Sequence, residues 1–214
     1  MRSVPSCLIR GSRGDASARA ALSAASSRLG SAGRSTGGSR MNLKQLEHIL
    51  RACGSITGCH EIIVIGSQAL LASYPNAPHD LLRSMEVDCY PLDDPAKADL
   101  IDGSIGELSP FHETFGYYAH GIGPETAALP AGWRARVVRL ESENTGGTIG
   151  LCLSPEDLAA SKLLAGREKD VEFVREMLRA GVVGETAIRS LATELIAEQG
   201  ALLGMKLQIC LRRP

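Results

Sequence analysis

Two short runs constrain this chain more than anything else in it. Glu61-Ile62-Ile63-Val64-Ile65 leads into Gly66-Ser67, and Ser84-Met85-Glu86-Val87-Asp88-Cys89-Tyr90 follows. The first is crowded with β-branched residues and closed by a glycine, which predicts a buried strand. Gly66 lets the backbone turn, and Ser67 onward reads as a helix start with a serine cap. A helix N-terminus behind a small-residue turn is a seat for phosphate. The second run alternates, so its period of two puts Glu86 and Asp88 on one face and Val87 and Cys89 on the other. Neighbouring acids on a strand repel and resist burial. A divalent cation removes both problems, and Mg²⁺ favours carboxylates together with substrate phosphates. The two runs together predict metal-assisted chemistry on a nucleoside triphosphate. Taken singly, a Gly-Ser turn is most often structural, and an acid pair on a strand face is as often simply solvated.

The chain has 214 residues and a formal net charge of -1, with 44% hydrophobic and 22% charged residues. These values fit one globular domain with appendages and do not mark a dedicated nucleic-acid binder. No apolar run approaches the roughly 20 residues of a spanning helix, so no membrane partner is expected. The six cysteines include no C-x-x-C pair, which argues against structural zinc. Several lie within apolar patterns, as reduced cytoplasmic cysteines do.

Residues 1–40 differ from the rest. They are rich in Ser, Ala, Gly and Arg, and Asp15 is their only acid. The leading expectation is a disordered or non-native N-terminal extension, with Met41 as the working start. A transit peptide and a basic arm touching nucleic acid are the alternatives. From Met41 the pattern is steady. Asn42 caps a helix with Leu43, Leu46, Ile49 and Leu50 on one face, broken by residues 54–58. Residues 74–78 form a proline loop, Pro95 opens a helix toward Leu108, and 111–116 reads as irregular. A short strand is expected at 117–120, loop from 121 to 132, a strand over 134–140, and a turn at Asn144-Thr145-Gly146-Gly147 returning as a strand over 148–153. Ser154-Pro155-Glu156-Asp157 has the signature of a helix opening: serine cap, proline at the first position, acids in the first turn. Helices are expected over 155–166, 168–180 and 185 to about 200, with 205–214 as a tail. The expected division is a sheet domain over 41–153 and a helical part over 154–204.

Lys162, Gly166 and Lys169 share one face if the helix runs through; Gly166 can instead separate two helices. A cationic cluster there would hold a triphosphate and stabilise departing pyrophosphate. An ordinary solvated charged helix is the competing reading. The five histidines show no metal-type spacing. His112-Glu113 reads as a surface pair within reach of substrate, and Trp133 as a packing anchor or a base-stacking ring.

Gly66-Ser67 followed by Glu86-Val87-Asp88 resembles the pattern of the nucleotidyltransferase superfamily. Asp157-Leu158, Ser161-Lys162-Leu163, Ala165-Gly166-Arg167 and Lys169-Asp170 resemble the helical region of abortive-infection-type nucleotidyltransferase toxins. More broadly, residues 41–183 are similar to a largely uncharacterised bacterial nucleotidyltransferase-like family. That similarity includes Gly116-Tyr117-Tyr118 and Leu129-Pro130-x-Gly132-Trp133. The resemblance implies an α+β fold: a palm-like mixed sheet with flanking helices and a helical C-terminal part. It implies transfer of a nucleoside monophosphate from an NTP to an unknown acceptor (tRNA, protein or small molecule) with Mg²⁺ or Mn²⁺. It also implies a toxin-antitoxin or phage-defence role with a cognate antitoxin or toxin partner. By carry-over, Glu86 and Asp88 ligate the metal, and Gly66, Ser67, Lys162 and Arg167 bind nucleotide. Lys162 and Asp170 join the acid pair as catalytic residues. The chain departs from the pattern in having Glu86 where Asp is usual, in a long gap after Ser67, and in its third carboxylate. Glu141 is the first choice for that position, ahead of Glu143 and Glu113. Without a working third acid, the alternative is a catalytically weak nucleotide-binding or partner-neutralising module.

Overall fold

The computed structural model describes residues 40–212; the expectations for residues 1–39 lie outside them. The order begins with α1 (Leu43–Thr57), β1 (Glu61–Val64), a 3₁₀ turn (Ser67–Ala72), β2 (Glu86–Pro91) and α2 (Ala98–Ile105). It continues with α3 (Pro110–Phe115), β3 (Tyr118–Gly121), α4 (Trp133–Arg136), β4 (Val138–Leu140) and β5 (Ile149–Cys152). The helical part is α5 (Pro155–Ala165), α6 (Glu168–Arg179), α7 (Glu185–Ser190) and α8 (Ala197–Leu211). The fold is α+β: a five-stranded mixed sheet with flanking helices and a helical C-terminal part.

The sheet order is β3-β2-β1-β5-β4. β1 pairs antiparallel with β2 and parallel with β5, β2 pairs parallel with β3, and β4 pairs antiparallel with β5. β1 is therefore central, which suits its continuous apolar run. On β2 the alternation holds: Val87 and Cys89 are buried while Glu86 and Asp88 are half-buried. Cys89 Sγ lies 3.8 Å from Cys53 Sγ of α1. So α1 covers the apolar face of β2, and the two acids look to the opposite side. Burial pushes the Cys152 thiol up to about 12, as expected of a core cysteine rather than a nucleophile.

Helix starts follow local chemistry. Asn42 and Gln45 form a reciprocal capping box for α1, and Ser154 Oγ accepts from the Asp157 N–H to start α5. Gly54 does not break α1, which runs on to a left-handed cap at Gly58. Four further expectations need correction. Residues 67–72 form a 3₁₀ turn whose cap is Gly66, with no side-chain capping bond, rather than an α-helix capped by Ser67. Residues 110–115 are helical, not irregular: Ser109 caps α3, Pro110 opens it, and Gly116 closes it at φ 73°. The expected strand over 134–140 is half helix. Arg136 pairs with Asp157 at 2.7 Å and with Glu194 at 2.8 Å, and these tertiary ion pairs accompany a helical turn before β4 begins. The chain is extended at Leu195 and Ile196, and α8 then runs to Leu211 where a tail was expected. Leu203, Leu207 and Cys210 hold it to the core at helical spacing. Among the described residues no helix is long and apolar enough to cross a membrane.

Candidate functional site

Glu86 and Asp88 reach the site because β2 is pleated, and they stand one above the other on its open face. β3 lies beside them in parallel register, with Tyr118 opposite Glu86 and His120 opposite Asp88. The His120 ring therefore meets both acids. Its Nδ1 lies 3.0 Å from Glu86 Oε1 and 3.2 Å from Asp88 Oδ1. One donor atom from each of Glu86, Asp88 and His120 lies within 4.8 Å of the others. Sequence reasoning missed His120. Spacing along the chain cannot show it, but the expected strand over 117–120 already placed it two residues from Tyr118 on one face.

Electrostatics single out Glu86 within the pair. Burial first, and then the Asp88 charge, hold the Glu86 carboxyl above its ordinary range. His120 and Lys169 pull it the other way, and Glu107 adds to the upward push. A cation seated between the acids would remove this repulsion, so the residues present fit a divalent ion.

The turn after β1 closes on the pair from below. Ile65 N–H donates to the Asp88 carbonyl at 3.0 Å, bringing the two backbones side by side. A Cβ on Gly66 would stand 2.1 Å from Asp88 Oδ2, so only glycine leaves the carboxylate where it is. Gln68, fully buried, donates to the Ser84 carbonyl at 2.9 Å and ties this turn to the start of β2.

Further lining of the site comes from the helical part. Gly166 ends α5 with φ 67°, so Lys162 and Lys169 belong to different helices, and the reading in which Gly166 separates them holds. Asp170 gathers the bases. It is 1% exposed, accepts from Lys162 Nζ at 3.2 Å and from Arg167 Nε at 2.6 Å, and so orients both. Burial pushes the Asp170 carboxyl up, but the Arg167 hydrogen bond and the Lys162 charge outweigh it and hold it below its ordinary value. Lys162 also sits over the Phe173 ring, 4.6 Å from its centroid.

Gly66, Ser67, Glu86, Asp88, His120, Lys162, Arg167, Lys169 and Asp170 all line one cavity of ≈ 1140 Å³. That volume is ample for a nucleotide. Of the residues expected from sequence, the third-acid candidates Glu141, Glu143 and Glu113 do not line it. Glu141, the first choice, stands well apart. It follows β4 at the far edge of the sheet, three strands from β2, and its carboxylate pairs with Arg139 at 3.5 Å. His112 accepts from the Leu108 N–H and packs its ring against Tyr118, 4.6 Å between centroids. Trp133 is a partly buried packing residue with Arg134 over its ring.

The mixed sheet with its flanking helices and helical C-terminal part is a nucleotidyltransferase palm-like α+β fold. The chain belongs to the family described as "Nucleotidyltransferase of unknown function (DUF6036)", whose model matches residues 41–203. The match takes in the whole sheet and the helices as far as Leu203, within α8. No curated protein and no solved structure matches the chain.

Proposed function

We propose that the protein transfers a nucleoside monophosphate from an NTP to an acceptor hydroxyl. The observation that supports this best is the shared cavity, lined both by the two acids of β2 and by Lys162, Arg167 and Lys169 of the α5–α6 region. In this reading Glu86 and Asp88 hold Mg²⁺ or Mn²⁺, which when bound neutralises phosphate charge and polarises the reacting oxygens. The Gly66 main chain and the Ser67 hydroxyl border the triphosphate. Lys162 and Arg167 stabilise the negative charge that grows on pyrophosphate. In this reading Asp170, expected from the resemblance to be catalytic, acts by positioning these two cations. The acceptor oxygen bonds to the α-phosphorus, the bond to pyrophosphate breaks, and the acceptor proton passes to solvent.

The acceptor is a tRNA, a protein side chain or a small molecule. The resemblance to abortive-infection toxins extends the proposal to a cytoplasmic toxin-antitoxin or phage-defence role with a cognate partner. The test is to incubate the protein with Mg²⁺ or Mn²⁺ and each α-phosphate-labelled NTP in extract fractionated into RNA, protein and small molecules. Label should enter one fraction and fall at least about a hundredfold with Asp88→Asn. NTP binding without any transfer would favour a second reading, a catalytically weak nucleotide-binding or partner-neutralising module. One observation supports that alternative: the third donor beside the acid pair is a histidine and not a carboxylate.

A further inference from the structure

The donor set at the acid pair is not made of oxygen alone. β3 is an edge strand, and its parallel register with β2 brings His120 directly across from Asp88. The same ring nitrogen, Nδ1, approaches both carboxylates, at 3.0 Å and 3.2 Å. Neighbouring ligand atoms around an ion with bonds of about 2.1 Å stand roughly 3 Å apart. Two of the three donor separations are therefore already those of groups that share one ion, and the third is within 4.8 Å. Asp88 is held in place on its other side by the close approach of Gly66. Mg²⁺ takes oxygen ligands and keeps most of its water, whereas an imidazole nitrogen favours transition metals.

We propose that His120 is the third protein ligand at this site, and that it makes the site select a first-row transition-metal ion over Mg²⁺, with Mn²⁺ as the probe that can be observed directly. The inference rests on the metal-dependent reading of Glu86 and Asp88 given above and adds a ligand and a preference to it. The charges then divide cleanly. Two carboxylates and a neutral imidazole balance a divalent ion, and the phosphate charge is left to Lys162, Arg167 and Lys169.

The test uses the full chain after chelator treatment, titrated with Mn²⁺ alone and with Mn²⁺ against Mg²⁺, with free Mn²⁺ followed by electron paramagnetic resonance. Mn²⁺ should bind at least tenfold more tightly than Mg²⁺. Pulsed measurements on the bound ion should show coupling to a nitrogen, and ¹⁵N-histidine labelling should change that coupling to its ¹⁵N form. His120→Ala should abolish the coupling and remove most of the preference. His120→Asp, which restores an oxygen donor, should move the preference toward Mg²⁺. The His120 side chain is 46% exposed, so these variants keep the fold; circular dichroism checks this, and the labelled wild type decides the matter without them. Bound Mn²⁺ without nitrogen coupling, or an unchanged preference in His120→Ala, overturns the inference. If that bound Mn²⁺ still disappears in Asp88→Asn, the reading of the acid pair survives. No Asp88-dependent ion binding at all would sink both.

Discussion

Gly66 shows how tightly single residues are bound to one another here. Its φ of −82° and ψ of −175° are open to any residue, so backbone freedom is not the reason for a glycine. The reason is Asp88, whose Cγ would lie 2.9 Å and Oδ2 2.1 Å from an added Cβ. Gly66→Ala should leave the chain folded but displace the carboxylate. We expect a change in melting temperature within about 4 °C, roughly 1 kcal/mol, and a loss of at least about tenfold in ion binding or transfer. A thermal melt beside the labelled-NTP assay checks both, and unchanged transfer would show that Asp88 tolerates the crowding. Asp170 has a different signature. Its folded-state pKa is depressed, so its stabilisation is complete above the unfolded value of about 3.9 and disappears as pH falls through the lower folded value. Asp170→Asn breaks a buried charge cluster and should cost about 2–3 kcal/mol at neutral pH. The gap to the wild type should close in denaturant melts taken from pH 5 down toward pH 2. A gap that persists in acid would mean that packing, not charge, explains the loss.

Elements with a local cause were legible in the sequence, and elements with a distant cause were not. β1 and β2 were readable because their apolar runs and period-two alternation are properties of a few consecutive residues. α5 was readable because Ser154 and Pro155 carry their own start signal. α4 was misread as strand because the ion pairs that accompany its turn come from Asp157 and Glu194, 21 and 58 residues further along the chain. α8 was missed because its weak pattern has meaning only against the core that Leu203, Leu207 and Cys210 enter. The site divides in the same way. The acid pair and the Lys162 region were visible as motifs, whereas His120 joins them only through the parallel pairing of β3. Asp157 is where the start of one element depends on another. It is fully buried, accepts two bonds from Arg136 at 2.9 and 2.7 Å, and accepts a third from Ser154 Oγ at 2.7 Å. Asp157→Asn leaves Arg136 facing a neutral amide. It should cost about 3 kcal/mol, or roughly 6–12 °C in melting temperature. A change below about 0.5 kcal/mol in a denaturant melt would show that Glu194 alone satisfies Arg136.

At the scale of the whole molecule the division of labour is spatial. The sheet supplies the acid pair, the stretch after Ser154 supplies Lys162, Arg167 and Lys169, and both sets line one cavity. Arg136 links these parts directly, since it stands just before β4 and bonds to both Asp157 at the start of α5 and Glu194 ahead of α8. Arg136, Asp157 and Glu194 do not themselves line the cavity. The raised Glu86 carboxyl has a related meaning. At neutral pH its ionised form opposes folding, since a raised folded-state pKa gives stability only below the unfolded value and that stability is gone once pH passes the folded one. The native state thus holds an unmet demand for positive charge, and by mass action a cation that meets it draws the population toward the folded form, by about 2.7 kcal/mol at a hundred times its dissociation constant. Resistance to heat thereby becomes a gauge of occupancy, and the ions proposed for this site can be ranked by it without an acceptor.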